Sequence, residues 1–210
     1  MTKIVAISNQ KGGVGKTTTA VNLSAALGIK GKKVLLVDLD PQGNATSSSG
    51  FEKNKQTKTV YDLLVNDEEV KKVILKSKFY DVIPANQNLA AAELELVNVK
   101  HRESILKKKL YQKNKYDYIL LDCPPSLGLI TINALTAAHS VLIPMQCEYF
   151  ALEGLTDLIN TIKKIKKQIN TEIQIEGLIR TIYDRRNKLT KEVSDQLSAY
   201  FPNKVYKTIV

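Results

Sequence analysis

The chain has 210 residues, of which 43% are apolar and 25% are charged, and its formal net charge is +10. This composition is typical of one globular domain over residues 1–210 and argues against a disordered chain. No uninterrupted apolar run is long enough for a membrane span, and the N-terminus lacks the pattern of a secretion signal. Two cysteines, Cys123 and Cys147, fit the reducing cytosol better than a disulfide framework. The basic excess makes polyanions candidate partners.

Short apolar or β-branched runs alternate with helix-like segments along the chain. We predict strands at residues 3–8, 33–38, 80–83, 118–122, 140–144, 176–183 and 204–209. We predict helices at residues 16–27, 60–64, 68–75, 89–97, 103–110, 129–138, 152–169 and 189–200. This alternation indicates βαβ units and an α/β fold, with a doubly wound, mostly parallel sheet flanked by helices. Ligands of such sheets bind at the carboxyl ends of the strands.

The first predicted strand leads into a glycine-rich turn and then into a helix, over residues 9–18 with the sequence Asn-Gln-Lys-Gly-Gly-Val-Gly-Lys-Thr-Thr. A Gly-Lys-Thr triplet between a strand and a helix is typical of a phosphate loop, because backbone N–H groups and the helix N-terminus converge on the anion. The alternative is a surface turn that is merely rich in glycine and lysine. Such a turn would not need a strand before it and a helix after it. The predicted phosphate-binding residues are Lys11, Gly12, Gly13, Val14, Gly15, Lys16, Thr17 and Thr18.

Two residues of this turn carry specific expectations. Lys16 is expected to reach the terminal phosphates of a nucleotide, and the Thr17 hydroxyl is expected to bind Mg²⁺. The ordinary phosphate loop has a glycine where this chain has Gln10, and the chain has an additional lysine, Lys11. The turn is therefore a phosphate loop of an unusual kind.

Carboxylates follow two of the predicted strands. Asp38 and Asp40 come at the end of one strand, and Asp122 ends another. Mg²⁺ prefers hard oxygen ligands, and an acid after a buried strand is the usual partner of a phosphate loop. Any one of these acids could be a solvated residue at a strand end, but three of them in one chain with the loop predict a Mg²⁺ site.

The loop resembles the deviant Walker A motif, which occurs in ParA and Soj partition ATPases, in MinD and in the nitrogenase iron protein. Three further segments resemble the ParA/Soj proteins: Asp-Leu-Asp-Pro-Gln-Gly-Asn at 38–44, Asp-Cys-Pro-Pro-Ser at 122–126, and residues 144–154. The resemblance covers essentially the whole chain. Proteins of this family usually continue for a few dozen residues, so we expect a C-terminally truncated ATPase domain that lacks the adenine loop and closing helices.

The resemblance implies a slow, Mg²⁺-dependent ATPase that forms a homodimer with ATP and acts in chromosome or plasmid segregation. It implies three catalytic residues: Lys11 reaches the partner's nucleotide, Lys16 binds phosphate, and Asp40 positions the attacking water. It implies Thr17, Asp38 and Asp122 as the residues around the metal. The ATP-bound dimer is expected to bind nonspecific DNA on the nucleoid in the cytoplasm, and a ParB-like centromere-binding protein is expected to trigger hydrolysis and release.

Two groups of basic residues could contact a polyanion, and Arg185 and Arg186 are the candidates for DNA contacts. Arg185 and Arg186 follow a predicted strand, and a family arginine lies at about Arg186; an exposed arginine pair can also be plain surface. Seven basic residues lie between positions 100 and 115 against one acid, Glu103, and here a solvated helix face is the simpler interpretation. These basic residues are Lys100, Arg102, Lys107, Lys108, Lys109, Lys113 and Lys115.

Two other functions stay open. A MinD-like membrane-associated regulator shares the loop, although the segment at 38–44 argues against it and no membrane partner is expected. The second open function is that of a nucleotide-binding regulator that no longer hydrolyses ATP. Cys123 directly follows Asp122, which is not where the nitrogenase iron protein places its cluster ligands, so both cysteines are interpreted as small buried residues.

Overall fold

The computed structural model describes residues 2–112, 115–148 and 151–210, so Lys113 of the basic segment and Tyr149 and Phe150 of the 144–154 segment lie outside the described residues. The described chain contains eight strands in one sheet, with the spatial order β3-β4-β2-β5-β1-β6-β7-β8. The strands are β1 (Lys3–Ile7), β2 (Val34–Asp38), β3 (Leu75–Lys76), β4 (Asp81–Ile83), β5 (Tyr118–Asp122), β6 (Ser140–Gln146), β7 (Gln174–Thr181) and β8 (Val205–Ile209).

The sheet is parallel except at one edge, where β3 pairs antiparallel with β4. β1 lies in the middle between β5 and β6, and the chain adds strands outward on both sides of it. This confirms the predicted doubly wound, mostly parallel α/β sheet. In the pairing register, Asp122 is opposite Ile7 on one side and opposite Asp38 on the other. The two acids therefore end neighbouring strands at the same edge.

Helices pack on both faces of the sheet. They are α1 (Lys16–Ile29), α2 (Asn44–Ser48), α3 (Val60–Leu64), α4 (Val70–Val73), α5 (Leu89–Glu95), α6 (Ile105–Leu110), α7 (Leu129–Ala137), α8 (Ala151–Gln168) and α9 (Lys188–Tyr200). Two elements were missed by the sequence prediction, α2 and β3. The helix predicted at 68–75 is shorter, because Leu75 pairs with Val82 in the edge strand. Among the described residues, no helix is long and apolar enough to cross a membrane.

The strands are apolar throughout because both of their faces are covered. All five residues of β2 are buried. Side chains alternate across the sheet, so Val34 and Leu36 join the cluster under α1, whereas Leu35 and Val37 join the larger cluster on the other face. Cys123 and Cys147 are buried free thiols, as expected.

The basic segment at 100–115 does not form one uniform surface. Lys109 is mostly buried and binds the carboxylate of Asp67 at 2.6 Å, together with two carbonyl oxygens. Lys107 lies over the ring of Tyr111. Lys115 lies at another place, beside β5 at the start of the strand. The described part of the segment is therefore divided among separate environments.

Two glycines in helices provide a matched test of packing. A Cβ atom at Gly28 would lie 2.0 Å from the carbonyl oxygen of Phe79, whereas one at Gly154 would meet no described atom within 4 Å. We expect Gly28→Ala to lower the free energy of unfolding by about 1–3 kcal/mol, because the α1 backbone must move. Gly154→Ala should raise it by up to about 1 kcal/mol through helix propensity. Urea titration measures both, and equal effects of the two changes would contradict the packing described.

Candidate nucleotide-binding site

The glycine-rich loop joins the carboxyl end of β1 to the first residue of α1. Gly13 and Gly15 have φ angles of +74° and +81°, a region that favours glycine, and Gly15 is the N-cap of α1. No side chain caps this helix, so its first backbone N–H groups remain available to an anion. The loop borders a cavity of about 440 Å³ that Asp40, Pro125 and Thr181 also line.

Side chains from other strands fix the conformation of the loop. The Asn9 side chain donates a hydrogen bond to the carbonyl oxygen of Pro144 at 2.8 Å and accepts one from the backbone N–H of Lys11 at 3.0 Å. The Thr181 hydroxyl, at the end of β7, donates to the carbonyl oxygen of Val14 at 2.8 Å. The loop is thus tied to both β6 and β7. Sequence reasoning missed Thr181, since nothing near that residue marks it.

Lys16 lies inside the loop with 8% of its surface exposed. Its ammonium group donates to the carbonyl oxygen of Lys11 at 2.9 Å. Burial lowers the pKa of Lys16, and the nearby acids, Asp122 and Asp40, oppose that shift. The loop therefore contains a preformed cation at the place where sequence analysis puts the phosphates.

Asp122 is fully buried, and in the described part of the chain neither of its carboxylate oxygens has a hydrogen-bond partner. Burial raises the pKa of Asp122 to about 7, and the charge of Asp38 adds to the shift. The Thr17 hydroxyl lowers this pKa although its geometry falls short of a hydrogen bond, and Lys16 lowers it too. Burying a charged carboxylate without hydrogen-bond partners costs free energy of folding. A bound cation at Asp122 would offset that cost.

The residues around Asp122 suit Mg²⁺ better than a metal held wholly by protein. The described residues contain no group of three or more His, Cys, Asp or Glu side chains that could hold a metal ion. Mg²⁺ is usually bound by one or two protein oxygens together with phosphates and water. Asp122 and Thr17 could supply those oxygens.

Asp38 organises the loop after β2. One oxygen of its carboxylate accepts hydrogen bonds from the backbone N–H and the hydroxyl of Thr46, at 2.8 and 2.7 Å, and the other accepts from the N–H of Asp40 at 3.1 Å. The Thr46 hydroxyl in turn accepts from the N–H of Ala85. Burial raises the pKa of Asp38 to about 6, although these bonds oppose the shift. Sequence reasoning missed Thr46, and the predicted metal role of Asp38 stays a prediction.

Asp40 lies at the margin of the cavity and is partly exposed. Its carboxylate accepts a hydrogen bond from the backbone N–H of Gln42 at 2.9 Å, and its carbonyl oxygen accepts one from Gly43. Gly43, with a φ of +61°, then begins α2. The turn holds the Asp40 side chain at the cavity, beside Lys16 and Thr17.

The side chain of Lys11 extends away from the rest of the glycine-rich loop, toward Glu148. Its ammonium group forms an ion pair with Glu148, which lies just beyond β6, and the two side chains are 37% and 47% exposed. Glu148 lies within the segment at 144–154, but sequence reasoning assigned it no role. The pair holds the additional lysine near the surface of the protein.

Arg185 and Arg186 follow β7, at the same edge of the sheet as the loop. The guanidinium of Arg186 binds both carboxylate oxygens of Asp184 at 3.0 Å. Arg185 is exposed. The structure therefore presents the two arginines at the surface, one of them already paired.

A phosphate loop on a doubly wound parallel sheet, with acids at the ends of neighbouring strands, defines a P-loop NTPase fold. Comparison with known proteins agrees with this class. The profile of the AAA domain family matches residues 2–175. The chain is 55% identical to the sporulation initiation inhibitor protein Soj of Bacillus subtilis, over all of this chain and 84% of that protein.

The chain is also 49% identical to the chromosome-partitioning ATPase Soj of Treponema pallidum, over all of this chain and 83% of that protein. A solved structure of cobyrinic acid a,c-diamide synthase from Mycobacterium smegmatis, with an ATP analogue and magnesium, superposes with a TM-score of 0.92 at 38% identity. That match covers 96% of this chain and 84% of the other. The chain belongs to the Soj/ParA family of partitioning proteins.

The burial of Asp122 predicts a specific pH dependence. Its pKa is about 7 in the folded protein and near 4 in an unfolded chain, so folding takes up a proton between these values. The free energy of unfolding should therefore fall as the pH rises from 4 to 7. Asp122→Asn should flatten this fall and stabilise the protein by roughly 1–3 kcal/mol at pH 7.5 without Mg²⁺ or nucleotide.

Thermal and urea unfolding between pH 4 and pH 8 measure this effect. Asp195→Asn is the matched control, because Asp195 is exposed on α9 and its replacement should change stability by less than about 0.5 kcal/mol. A loss of stability in Asp122→Asn at pH 7.5 would show that the buried carboxylate is satisfied in the free protein.

Proposed function

We propose that this chain is a partition ATPase that binds ATP and Mg²⁺ and hydrolyses ATP slowly. The observation that carries the proposal is the buried Asp122 carboxylate, unpaired among the described residues and close to Lys16 and Thr17 at the phosphate loop. The Treponema relative named a chromosome-partitioning ATPase supports this function. The Mycobacterium structure with an ATP analogue and magnesium supports the choice of ligands.

In the proposed site, the backbone of residues 11–18 and the Lys16 ammonium bind the phosphates. Asp122 and Thr17 hold the Mg²⁺ shell, with Asp38 in support. When bound, Mg²⁺ neutralises phosphate charge, which is most of what phosphoryl transfer requires of its site. Asp40 positions the attacking water from the cavity margin. Asp38 holds the segment that carries Asp40, so the position of Asp40 depends on the bonds that Thr46 makes.

The second part of the proposal concerns dimerisation. Lys11 leaves Glu148 when ATP binds and contacts the nucleotide of the partner subunit. An exposed ion pair is worth only about 0–1 kcal/mol, so the phosphates compete easily with the Glu148 carboxylate. Because a catalytic cation then comes from a second copy of the chain, hydrolysis depends on the dimer.

The dimer is proposed to bind DNA without sequence preference, with Arg185 and Arg186 as contacts to phosphates. A ParB-like centromere-binding protein accelerates hydrolysis, and the protein then leaves the DNA. The cycle places the protein on the nucleoid in the cytoplasm and serves chromosome or plasmid segregation.

Two lysine variants test the dimer. Lys16→Ala should abolish ATP binding, because it removes the cation inside the loop. Lys11→Ala should retain ATP binding to the monomer but lose ATP-dependent dimerisation and hydrolysis. Asp40→Ala should retain dimerisation and lower the hydrolysis rate by at least about 100-fold, which traps the dimer.

Light scattering after size-exclusion chromatography, with ATP and with ADP, measures the dimer, and phosphate release measures hydrolysis. Unfolding of each variant without nucleotide serves as the folding control. A wild-type rate in Lys11→Ala would refute the role of Lys11 in the partner's site.

DNA binding provides the test of the switch. With ATP, the affinity for a random-sequence duplex should exceed the affinity with ADP by at least about 10-fold and should fall steeply with salt. Arg185→Ala with Arg186→Ala should remove this ATP-dependent gain, measured by fluorescence anisotropy. A gain that persists in the double variant would exclude both arginines as the contacts.

A further inference from the structure

The loop between β5 and α7 connects the Asp122 carboxylate to the wall of the nucleotide cavity. It comprises residues 123–128, and we call it the β5–α7 loop. Its first N–H group, on Cys123, donates to the carbonyl oxygen of Ile7 in β1 at 3.1 Å. Pro125, in the middle of the loop, lines the cavity. The conformation of this loop therefore affects both the cavity and the end of β5.

The helix at the end of this loop, α7, has no cap of its own. Gly128 is the N-cap residue and has no side chain, and the first turn of α7 contains no acid. The Glu93 carboxylate of α5 takes this place, because its Oε1 atom accepts a hydrogen bond from the backbone N–H of Ile130 at 3.3 Å. Ile130 is the second residue of α7, and its N–H is one of those that a capping side chain normally binds. An acid from a separate helix thus caps α7.

The approach of this carboxylate requires a glycine at position 128. A Cβ atom on Gly128 would overlap with the carboxyl carbon and both oxygens of Glu93. The φ angle of Gly128 is −73°, which any residue can adopt, so the backbone itself imposes no glycine there. The negative carboxylate also lies at the N-terminus of α7, where the helix dipole is positive. Close contact and charge both favour the Glu93 carboxylate at this place.

The helix that carries Glu93 is firmly held. Leu89, Ala92 and Leu96, on α5 and just after it, are buried in the larger core cluster. Before α5, the N–H of Ala85 donates to the Thr46 hydroxyl at 2.9 Å, which joins this part of the chain to the loop after β2. Glu93 itself is exposed. Its backbone is therefore fixed, and its side chain can be replaced without loss of core packing.

The Asp122 side chain depends on its backbone for its position. Neither carboxylate oxygen of Asp122 has a hydrogen-bond partner among the described residues, in contrast to the carboxylate of Asp38. The pairing of β5 with β1 and β2 holds the backbone before Asp122. The β5–α7 loop holds the backbone after it. Movement of that loop would therefore displace the carboxylate.

We propose that Glu93 is a positioning residue for the metal site: it caps α7, and the capped helix holds the β5–α7 loop so that Asp122 stays in place to bind Mg²⁺. This inference rests on the proposed function, which puts Mg²⁺ at Asp122 and Thr17. The phosphate loop does not depend on Glu93, because the Asn9 and Thr181 side chains tie it to β6 and β7. Loss of the Glu93 carboxylate should therefore weaken Mg²⁺ binding and spare phosphate binding.

Three variants and a control separate this role from a general effect on the fold. Glu93→Ala removes the cap, and Glu93→Gln keeps an amide oxygen that can accept the same hydrogen bond. In the double variant, Glu93→Ala with Gly128→Ser, a serine hydroxyl at the N-cap replaces the missing carboxylate, and the removal of that carboxylate leaves room for it. The control is Glu192→Ala, since Glu192 is exposed on α9 and its carboxylate lies 3.9 Å from Lys188.

Two measurements are made on each variant. Hydrogen exchange of the Ile130 amide, followed by NMR without nucleotide, reports on the cap of α7. Binding of a fluorescent ADP, first in EDTA and then over a series of Mg²⁺ concentrations, separates phosphate binding from metal binding. Thermal unfolding confirms that each variant folds.

In Glu93→Ala, the Ile130 amide should exchange at least about 5-fold faster than in the wild type. The Mg²⁺ concentration that gives half of the gain in ADP affinity should rise at least about 5-fold, whereas the ADP affinity in EDTA should change less than about 2-fold. In Glu93→Gln and in the double variant, this Mg²⁺ concentration should stay within about 3-fold of the wild-type value. In the control it should stay within about 2-fold.

An unchanged Mg²⁺ requirement in Glu93→Ala would overturn the proposal, even if the Ile130 amide exchanged faster. An equal loss of ADP affinity in EDTA would also overturn it, as would a double variant that needs as much Mg²⁺ as Glu93→Ala. A wild type whose ADP affinity does not respond to Mg²⁺ would instead refute the proposed metal site. The exchange rate of the Ile130 amide would then still decide whether Glu93 caps α7.

Discussion

The site depends on the burial of two like charges at the ends of neighbouring strands. Asp38 and Asp122 are paired residues in the register of β2 and β5, and both are fully buried. Burial raises the pKa of each; the charge of Asp38 adds to the shift of Asp122, and the charge of Asp40 adds to the shift of Asp38. Lys16 is the cation that opposes this charge, and burial weakens its own ionisation. The hydrophobic core on both faces of the sheet must supply the free energy that keeps these groups out of water.

The two buried carboxylates differ in their hydrogen bonds. The Asp38 carboxylate accepts hydrogen bonds from Thr46 and from the backbone N–H of Asp40. These bonds stabilise the conformation of the loop after β2. Asp122 has no comparable partner among the described residues, so its carboxylate is available to a ligand. Of the two aspartates at equivalent strand ends, Asp38 is thus bonded within its own loop and Asp122 is not, because β2 continues into a turn that folds back on Asp38.

Sequence patterns predicted most of the fold and the types of residue at the site, because both depend on local spacing. Continuous apolar runs marked the buried strands, and the loop and the acids stood at strand ends. The sequence did not reveal the contacts of Thr46, Thr181 or Glu148. Each of these residues bonds to a residue far away in the sequence, which becomes its neighbour only in the folded protein. The sequence patterns missed β3 because a strand of two residues carries no periodicity.

The two lysines of the loop differ in what holds them. Lys16 is buried and bonded to the loop backbone, so moving it would leave a cation and a carbonyl group unsatisfied inside the protein. Lys11 is partly exposed, and water replaces the Glu148 carboxylate at little cost when the pair separates. One lysine is therefore suited to stay with its own nucleotide. The other is suited to leave, which is what a contact with a second subunit requires.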